Sequence, residues 1–378
     1  MNVAIFPVIL AGGASSRLWP ASGRERPKWD LRLFGKRNPD GQPQSLLEGA
    51  WERARGVAPA DQCFVVAGTA QAALIRQSLP ELPAANLLIE PEPRDTAGAV
   101  AYAAAAIVRR ASSGQSSAEQ VMFVLPGDHV ISQLDKFKRC ALTASQAACQ
   151  LHALMTFGII ARAPATAYGY IHRGSKATLA EVPVDAPQVF DVQQFREKPD
   201  LKTAEAYVAS GDYFWNGGIF MWQMSTLLQE YKTQLPAHSK MIEALAAIPG
   251  GPAATGGAEW AAVAKAHFPE LKKTSIDFGI MEHAKKVATV TADFDWDDIG
   301  SWSAVAAHLD KSSGNATGPD TQVLQVDAKE NLVFAPGFRV ALVGVEGLAV
   351  VQHGKDILIC KLERDQDVKK ISEKANAK

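Results

Sequence analysis

Residues 3–13 read VAIFPVILAGG, an apolar and largely β-branched run that ends in two glycines. The run predicts a buried strand, and three similar runs follow it: CFVVAG (63–68), LLIE (87–90) and VMFVLP (121–126). Helical patterns lie between these runs. Continuous apolar strands that alternate with helices are typical of a parallel sheet covered on both faces. The first part of the chain is therefore predicted to have an α/β fold with a mostly parallel, mixed sheet.

The composition of the 378 residues narrows the function before any motif is considered. At about 150 residues per domain, this length predicts two domains, with three as the alternative. The formal net charge of −1 argues against a general nucleic-acid binder held by excess positive charge. No apolar run reaches the roughly 18 residues that would span a membrane. The four cysteines match no metal-binding spacing and predict a reducing compartment, so we expect a cytoplasmic protein.

The best linker candidate is KSSGNATGPD at residues 311–320. Short apolar runs separated by turn signals follow it, which predicts a small β-rich C-terminal module. We therefore expect a catalytic domain over 1–312 and the module over 320–371, with the last residues frayed. An exposed apolar face on this module would indicate a homodimer, which the sequence alone leaves open.

The loop after the first strand, LAGGASSRLWPASGRERPK (10–28), carries the first chemical signal. Gly12 and Gly13 allow the backbone to approach a ligand closely, and backbone N–H groups can bind phosphates. Four cations lie within twelve residues, and they are Arg17, Arg24, Arg26 and Lys28. The loop is neither a Walker A nor a Rossmann fingerprint. The alternative is a glycine turn beside a solvated basic loop.

Two further loops follow predicted strands and therefore reach the same edge of the sheet. In EPEPRDTAGAV (90–100), Thr96 is a candidate N-cap that would leave helix N–H groups free for a ligand. In LPGDHV (125–130), Asp128 suits Mg²⁺, which bridges carboxylates and substrate phosphates. A plain helix cap and a turn aspartate are the alternatives.

Polar residues of the middle segment suit a phosphorylated sugar. Glu197 in FREKPD (195–200) can accept hydrogen bonds from sugar hydroxyls, and Lys198 can meet a phosphate. Asn216 in FWNGGIFMW (214–222) offers both a donor and an acceptor. Three aromatic residues occur in the same motifs, namely Tyr168, Trp215 and Trp222. The alternative to a place in the site is that they are ordinary residues of the hydrophobic core.

An acidic run, FDWDDIGSW (294–302), completes the set of motifs. It contains Asp295, Asp297 and Asp298 after a predicted strand. Two carboxylates from distant segments, Asp128 and Asp298, can hold one Mg²⁺ on a triphosphate. An acidic helix-cap cluster is the alternative.

Together these motifs resemble the sugar-1-phosphate nucleotidyltransferases, most closely the bacterial mannose-1-phosphate guanylyltransferases. The family pattern GGxGxRLWPxSxxxxPKxxL is largely present at residues 12–31, and six more family motifs follow in the family's order up to residue 302. The resemblance implies a Rossmann-like nucleotidyltransferase domain followed by the β-rich module. It also implies that an oxygen of mannose 1-phosphate attacks the α-phosphorus of GTP with Mg²⁺ present, and that pyrophosphate leaves.

The resemblance also implies a role for each residue at a matching position. The catalytic residues would be Arg17 and Lys28 on the nucleotide phosphates and Lys198 on the sugar phosphate. The metal would be held by Asp128 and Asp298, and the sugar by Gly169, Glu197 and Asn216. The nucleotide would be bound by Leu10, Ala11, Gly12, Gly13, Arg94, Asp95, Thr96 and Gly127.

The sequence departs from the family pattern at Ser15, at Trp29-Asp30, at Asp95 and at Gly98. These departures leave the preferred base and sugar open, so heptose or glucose 1-phosphate are alternative substrates. A molybdenum-cofactor type of guanylyltransferase would account for the Ser15-Ser16 pair but not for the later motifs. A catalytically idle regulatory relative that binds nucleotide sugars is a third reading. No isomerase domain follows, so we expect no isomerase activity.

Overall fold

The computed structural model describes residues 3–13, 16–23, 26–38, 40–111, 120–253 and 256–376. The chain forms two compact units, and each is built from three segments. The first unit comprises Met1–Ala11, Trp51–Pro126 and Ile131–Trp296. The second unit comprises Gly12–Ala50, Gly127–Val130 and Asp297–Lys378, so the linker predicted at 311–320 lies inside it.

A mixed sheet organises the first unit, with nine strands among the described residues. The strands are β1 (Ala4–Leu10), β2 (Phe64–Gly68), β3 (Leu87–Glu90), β4 (Gln120–Pro126), β5 (Leu154–Ile160), β6 (Gly169–Lys176), β7 (Val189–Glu197), β8 (Tyr213–Gln223) and β9 (Val287–Ala292). Their order is β3-β2-β1-β4-β8-β5-β9-β7-β6. The first four strands are parallel, as predicted, whereas β8 is antiparallel to both of its neighbours β4 and β5.

Helices cover both faces of the parallel half of this sheet. The helices up to residue 267 are α1 (Leu46–Arg55), α2 (Ala72–Ser78), α3 (Asp95–Ala111), α4 (Leu134–Leu151), α5 (Leu201–Ser210), α6 (Met224–Gln234), α7 (Pro236–Ala246) and α8 (Gly257–His267). On β4, Met122 packs in one core cluster with the alanine-rich α3, and its neighbour Phe123 packs against Phe137 of α4. Adjacent residues of a strand face opposite sides. Both sides are therefore core, which explains why the strand has no polar alternation.

Ser45 lies three residues before Glu48 at the start of a helical run in the sequence, a spacing that predicts a capping box before α1, and the structure contains it. The backbone N–H of Glu48 donates to the Ser45 hydroxyl at 3.1 Å, and the Glu48 carboxylate accepts from the N–H of Ser45 at 2.6 Å. This reciprocal pair satisfies two N–H groups that a helix start otherwise leaves unpaired.

The β-rich module forms a parallel β-helix in the second unit. The elements there are α9 (Trp302–Ala307), β10 (Ala316–Thr317), β11 (Gln322–Val326), β12 (Leu332–Phe334), β13 (Arg339–Val343), β14 (Leu348–His353), β15 (Asp356–Lys361) and α10 (Val368–Asn376). Strands β10, β12 and β14 pair in parallel, as do β11 and β13. The buried Asn315 and Asn331 stack between successive turns, with Nδ2 of Asn331 donating to Oδ1 of Asn315 at 2.9 Å. The frayed end that we predicted for residues 371–378 is wrong up to Asn376, where α10 ends, and residues 377–378 lie outside the described residues.

The loop that follows β1 shares its core with the β-helix. Leu18 and Leu31 of this loop are fully buried in one cluster with Trp302, Phe334 and Val351. The segment that carries the basic residues is therefore supported by the C-terminal module.

Candidate active site

The loop after β1 exposes its glycine backbone. Ala11 continues the sheet beyond Leu10, because its N–H donates to the carbonyl of Val66 at 2.9 Å. Gly12 and Gly13 are exposed, and a side-chain carbon at either position would meet no atom within 4 Å. Gly13 has φ +89°, a conformation that favours glycine. This loop therefore has the open backbone that phosphate binding requires.

Three of the predicted residues meet at the ammonium group of Lys28. Its Nζ donates to Oδ2 of Asp128 at 2.8 Å and also to the backbone carbonyl of Asp298. Lys28 begins a short 3₁₀ turn in which Trp29 is buried in the core and Asp30 pairs with Arg26 at 3.3 Å. Trp29 and Asp30, where the sequence departs from the family pattern, therefore help to hold Lys28 in place.

Asp128 is partly buried, directly after the buried Gly127 at the end of β4. Burial opposes ionisation of its carboxyl, but the charges of Lys28 and His129 and the hydrogen bond from Lys28 outweigh this effect. They hold the pKa of Asp128 below its ordinary value. The group is thus a carboxylate at neutral pH, as a metal ligand must be.

Two aspartates of the acidic run, Asp295 and Asp297, bind neighbouring parts of the chain. Asp295 accepts hydrogen bonds from the N–H groups of Ser132 and Gln133, at the start of α4. Asp297 accepts from the N–H of Ile299 at 2.7 Å and pairs with His308 at 3.0 Å.

Asp298 and Arg17 lie close to one another. Both flank Gly300, where a side-chain carbon would lie 3.4 Å from Oδ1 of Asp298 and 3.6 Å from Nη1 of Arg17. Ile299 is buried with φ +46°, which is an unusual conformation for a β-branched residue. Backbone strain of this kind is concentrated at functional sites.

The two acids suit a metal ion that is shared with a phosphate substrate. Within the described ranges, no group of three or more His, Cys, Asp or Glu is placed to hold a metal ion. Mg²⁺, however, is commonly bound through one or two carboxylates together with substrate phosphates. Asp128 and Asp298 fit that donor set, in which substrate phosphates supply further oxygen ligands.

The predicted N-cap role of Thr96 is wrong. Helix α3 begins at Asp95, whose φ is +63°, and Thr96 lies inside the first turn. The hydroxyl of Thr96 accepts from the N–H of Ile276 at 2.8 Å, and the N–H of Ala97 donates to Thr274. Arg94 is held by Glu92 and by the carbonyl of Pro269. The first turn of α3 is therefore fastened by protein partners.

A second cluster of predicted residues lies in the first unit, where β6, β7 and β8 pair. Gly169 lies opposite Glu197, and a side-chain carbon at Gly169 would come within 2.6 Å of the Glu197 carboxylate. The next residue, Lys198, pairs with Glu197 at 2.5 Å, is 63% exposed and has φ +45°. Its exposed ammonium group suits a phosphate.

The side-chain amide of Asn216 already makes more hydrogen bonds within the protein than the sequence indicates. Its Nδ2 donates to Asp277 at 2.8 Å, and its Oδ1 accepts from Gly218 and Thr156. The amide therefore has a donor to offer but not the acceptor that we predicted. Sequence reasoning missed Asp277, which is 61 residues away and has no motif of its own.

The aromatic residues of this cluster have two different roles. Trp222 is fully buried in the core, as its alternative reading predicts. Tyr168 instead packs against both Trp215 and Trp296, with ring centroids 5.2 Å apart in each pair. The contribution of Trp296 was not predicted.

Ser15 and Arg24 lie outside the described residues.

Comparison with known proteins defines the class. A model described as nucleotidyl transferase matches residues 6–312, and one described as a MannoseP isomerase/GMP-like beta-helix domain matches residues 321–374. The chain therefore belongs to the nucleotidyl transferase family. Among the described residues, none of the helices has the length and hydropathy that crossing a membrane requires.

Individual relatives narrow the class further. The chain is 35% identical to the mannose-1-phosphate guanylyltransferase of Klebsiella pneumoniae over 98% of its own length and 73% of that protein. It is 34% identical to the xanthan biosynthesis protein XanB of Xanthomonas campestris over 97% and 72% of the two lengths. A solved structure described as mannose-1-phosphate geranyltransferase from Thermus thermophilus is 28% identical, with a TM-score of 0.80 over both whole chains. Within its family, the chain groups with the mannose-1-phosphate guanylyltransferases.

Proposed function

We propose that this enzyme transfers GMP from GTP to α-D-mannose 1-phosphate, giving GDP-mannose and pyrophosphate. The observation that carries the proposal is the convergence of Lys28, Asp128 and Asp298 from distant parts of the sequence. The choice of guanine and mannose is supported by the names of relatives that align with nearly the whole chain.

We propose that the residues of the second unit bind the triphosphate. Arg17 and Lys28 neutralise the phosphate oxygens, and the open backbone of Gly12 and Gly13 binds the nucleotide. Asp128 and Asp298 hold Mg²⁺, which when bound supplies Lewis-acid stabilisation of the phosphate charge. The other residues that the sequence assigns to the nucleotide remain part of this proposal, and they are Gly127 of the second unit and Leu10, Ala11, Arg94, Asp95 and Thr96 of the first unit.

The sugar 1-phosphate is assigned to the cluster of the first unit. Lys198 meets its phosphate, while Glu197, Asn216 and the backbone of Gly169 bind its hydroxyls. The attacking phosphate oxygen is already ionised at neutral pH, so the enzyme needs no general base. Catalysis then consists of positioning and charge neutralisation.

A substrate matrix tests this proposal directly. Pyrophosphate release is measured for four nucleoside triphosphates crossed with mannose, glucose, glucosamine and heptose 1-phosphates, with and without Mg²⁺. We expect the highest kcat/KM for GTP with mannose 1-phosphate, and none without a divalent cation. A higher value for another sugar would replace mannose, and no release with any pair would support the idle regulatory relative.

We further propose that residues 320–371 mediate a homodimer while residues 1–312 carry the chemistry. Strands β11 and β13 expose Leu324, Val326 and Val343, and Val326 pairs directly with Val343. Neighbouring exposed apolar side chains of this kind mark association surfaces. Sedimentation equilibrium should give a dimer for the wild type and a monomer for Val343→Lys. A monomeric wild type at micromolar concentration would refute the dimer.

A further inference from the structure

The side-chain amide of Asn216 is fixed at both ends by its partners. Its Nδ2 donates to Oδ1 of Asp277 at 2.8 Å. Its Oδ1 accepts from the N–H of Gly218 at 3.3 Å and from the hydroxyl of Thr156 at 3.4 Å. A carboxylate only accepts hydrogen bonds, so Asp277 determines which way the amide faces. One N–H of Asn216 is then left for an acceptor on a ligand.

Asp277 occupies a costly position for a carboxylate. It opens a π-helical turn, Asp277–Met281, and such turns are frequent at functional sites. Burial raises the pKa of its carboxyl against the hydrogen bond from Asn216, and nearby Glu197 and Glu282 raise it further. A carboxylate that is buried beside other acidic groups departs from the usual rules of folding, and such departures commonly serve function.

The segment before Asp277 is fastened to the first turn of α3. The carbonyl of Thr274 accepts from the N–H of Ala97 at 3.2 Å, and the N–H of Ile276 donates to the Thr96 hydroxyl at 2.8 Å. Because Thr274 and Ile276, just before the turn, are both bonded to α3, the carboxylate of Asp277 is held in place before any ligand binds. A preorganised partner of this kind reduces the cost of ordering a site.

We propose that Asp277 is a positioning residue for the sugar 1-phosphate, which orients the amide of Asn216 so that its remaining N–H meets a hydroxyl oxygen of the sugar. This inference rests on the proposed function and deepens it. Asp277 acts through Asn216, so its loss weakens sugar recognition and leaves nucleotide recognition intact.

The test compares the affinity of the full chain for GDP-mannose with its affinity for GDP, by titration calorimetry. The ratio isolates the contribution of the sugar. In Asp277→Ala the ratio should fall about 10-fold, the expected effect of an unpaired and misoriented polar group. The KM for mannose 1-phosphate should rise about as much, while the KM for GTP stays within about 2-fold.

Two variants separate positioning from a structural effect. Asp277→Asn keeps an acceptor oxygen and should restore most of the ratio. Ser275→Ala removes a hydrogen bond from the N–H of Phe278 in the same turn, but does not touch Asn216, and should leave the ratio unchanged. Combining Asp277→Ala with Asn216→Ala should lower the ratio no further than Asn216→Ala alone. If Asp277→Ala does not fold, Asp277→Ser replaces it.

A wild-type ratio in Asp277→Ala would overturn the inference, as would an equal loss in Ser275→Ala or an equal loss of GDP affinity. Failure of the proposed function is distinguishable, because it is observed in the wild type. If the substrate matrix selects another pair, the ratio is measured with that nucleotide sugar and its nucleoside diphosphate. If no substrate pair is used and no nucleotide sugar binds, both proposals are wrong.

Discussion

The ammonium group of Lys28 lies 2.8 Å from the carboxylate of Asp128, although 100 residues separate them in sequence. The same group also donates to the carbonyl of Asp298, so one cation links two residues proposed as metal ligands.

Replacing Lys28 with methionine removes the charge and keeps a long side chain. Because a positioned cation stabilises developing phosphate charge, we expect kcat/KM to fall at least about 100-fold. Lys28→Arg should retain more activity than Lys28→Met. Steady-state pyrophosphate release measures both variants, and a change of less than about 3-fold in Lys28→Met would remove Lys28 from the catalytic group.

Asp298 and Asp295 form a matched pair three residues apart. Asp298→Asn should lower kcat at least about 100-fold and raise the Mg²⁺ concentration needed for half-maximal rate, because a metal-binding carboxylate is lost. Asp295→Asn should leave both quantities near the wild-type values. It should lower the free energy of unfolding by about 1 kcal/mol, because its carboxylate accepts from N–H groups at the start of α4. Similar kinetics in the two variants would contradict the metal assignment.

Glu90 makes stability depend on pH near neutrality. Burial, and secondarily the charge of Asp95, raise its pKa from 4.5 to about 7, and its Oε1 is buried with no hydrogen-bond partner in the described part of the chain. The unfolded chain ionises this group at lower pH than the folded chain, so stability is lost as pH rises from about 4.5 to about 7. At pH 8, urea denaturation should give Glu90→Gln a free energy of unfolding up to about 3 kcal/mol above that of the wild type, whereas at pH 4 the two proteins should have similar values. A difference that does not vary with pH would be inconsistent with this account.

His238 in α7 makes the stability of the protein depend on pH in the acid range. It is fully buried against Tyr231, its two ring nitrogens lack partners among the described residues, and burial lowers its pKa from 6.5 to about 4. Unfolding therefore takes up a proton below pH 6.5, and this contribution to stability is lost as pH falls towards 4. His238→Phe should flatten the fall in the thermal midpoint between pH 6.5 and 4. Removing the exposed His283 as His283→Gln is the control, and equal slopes in both variants would count against His238.

Local signals in the sequence were sufficient for much of this structure. The apolar runs predicted β1 to β4, and the spacing of Ser45 and Glu48 predicted the capping box. Contacts that depend on distant segments were not predictable from one sequence. The role of Thr96 was misjudged because its partner, the N–H of Ile276, lies 180 residues away.

Asp277 shows the same limit within the candidate site. An isolated aspartate in SIDFG carries no motif, and only folding brings it to Asn216. The parallel winding of the β-helix was also missed, since short apolar runs between turns indicate strands but not which strands pair. The residue types of the site were thus predictable, whereas the partners that orient them were not.

The shared core of Leu18, Leu31, Phe334 and Val351 bears on how this protein can be recombined. The two matched family regions meet at residues 311–320. A chimera joined there would nevertheless pack the basic loop against core residues from a different protein. A chimera that keeps this core intact must exchange residues 12–50 and 127–130 together with residues 297–378. Substitutions in either part are then expected to require compensation in the other.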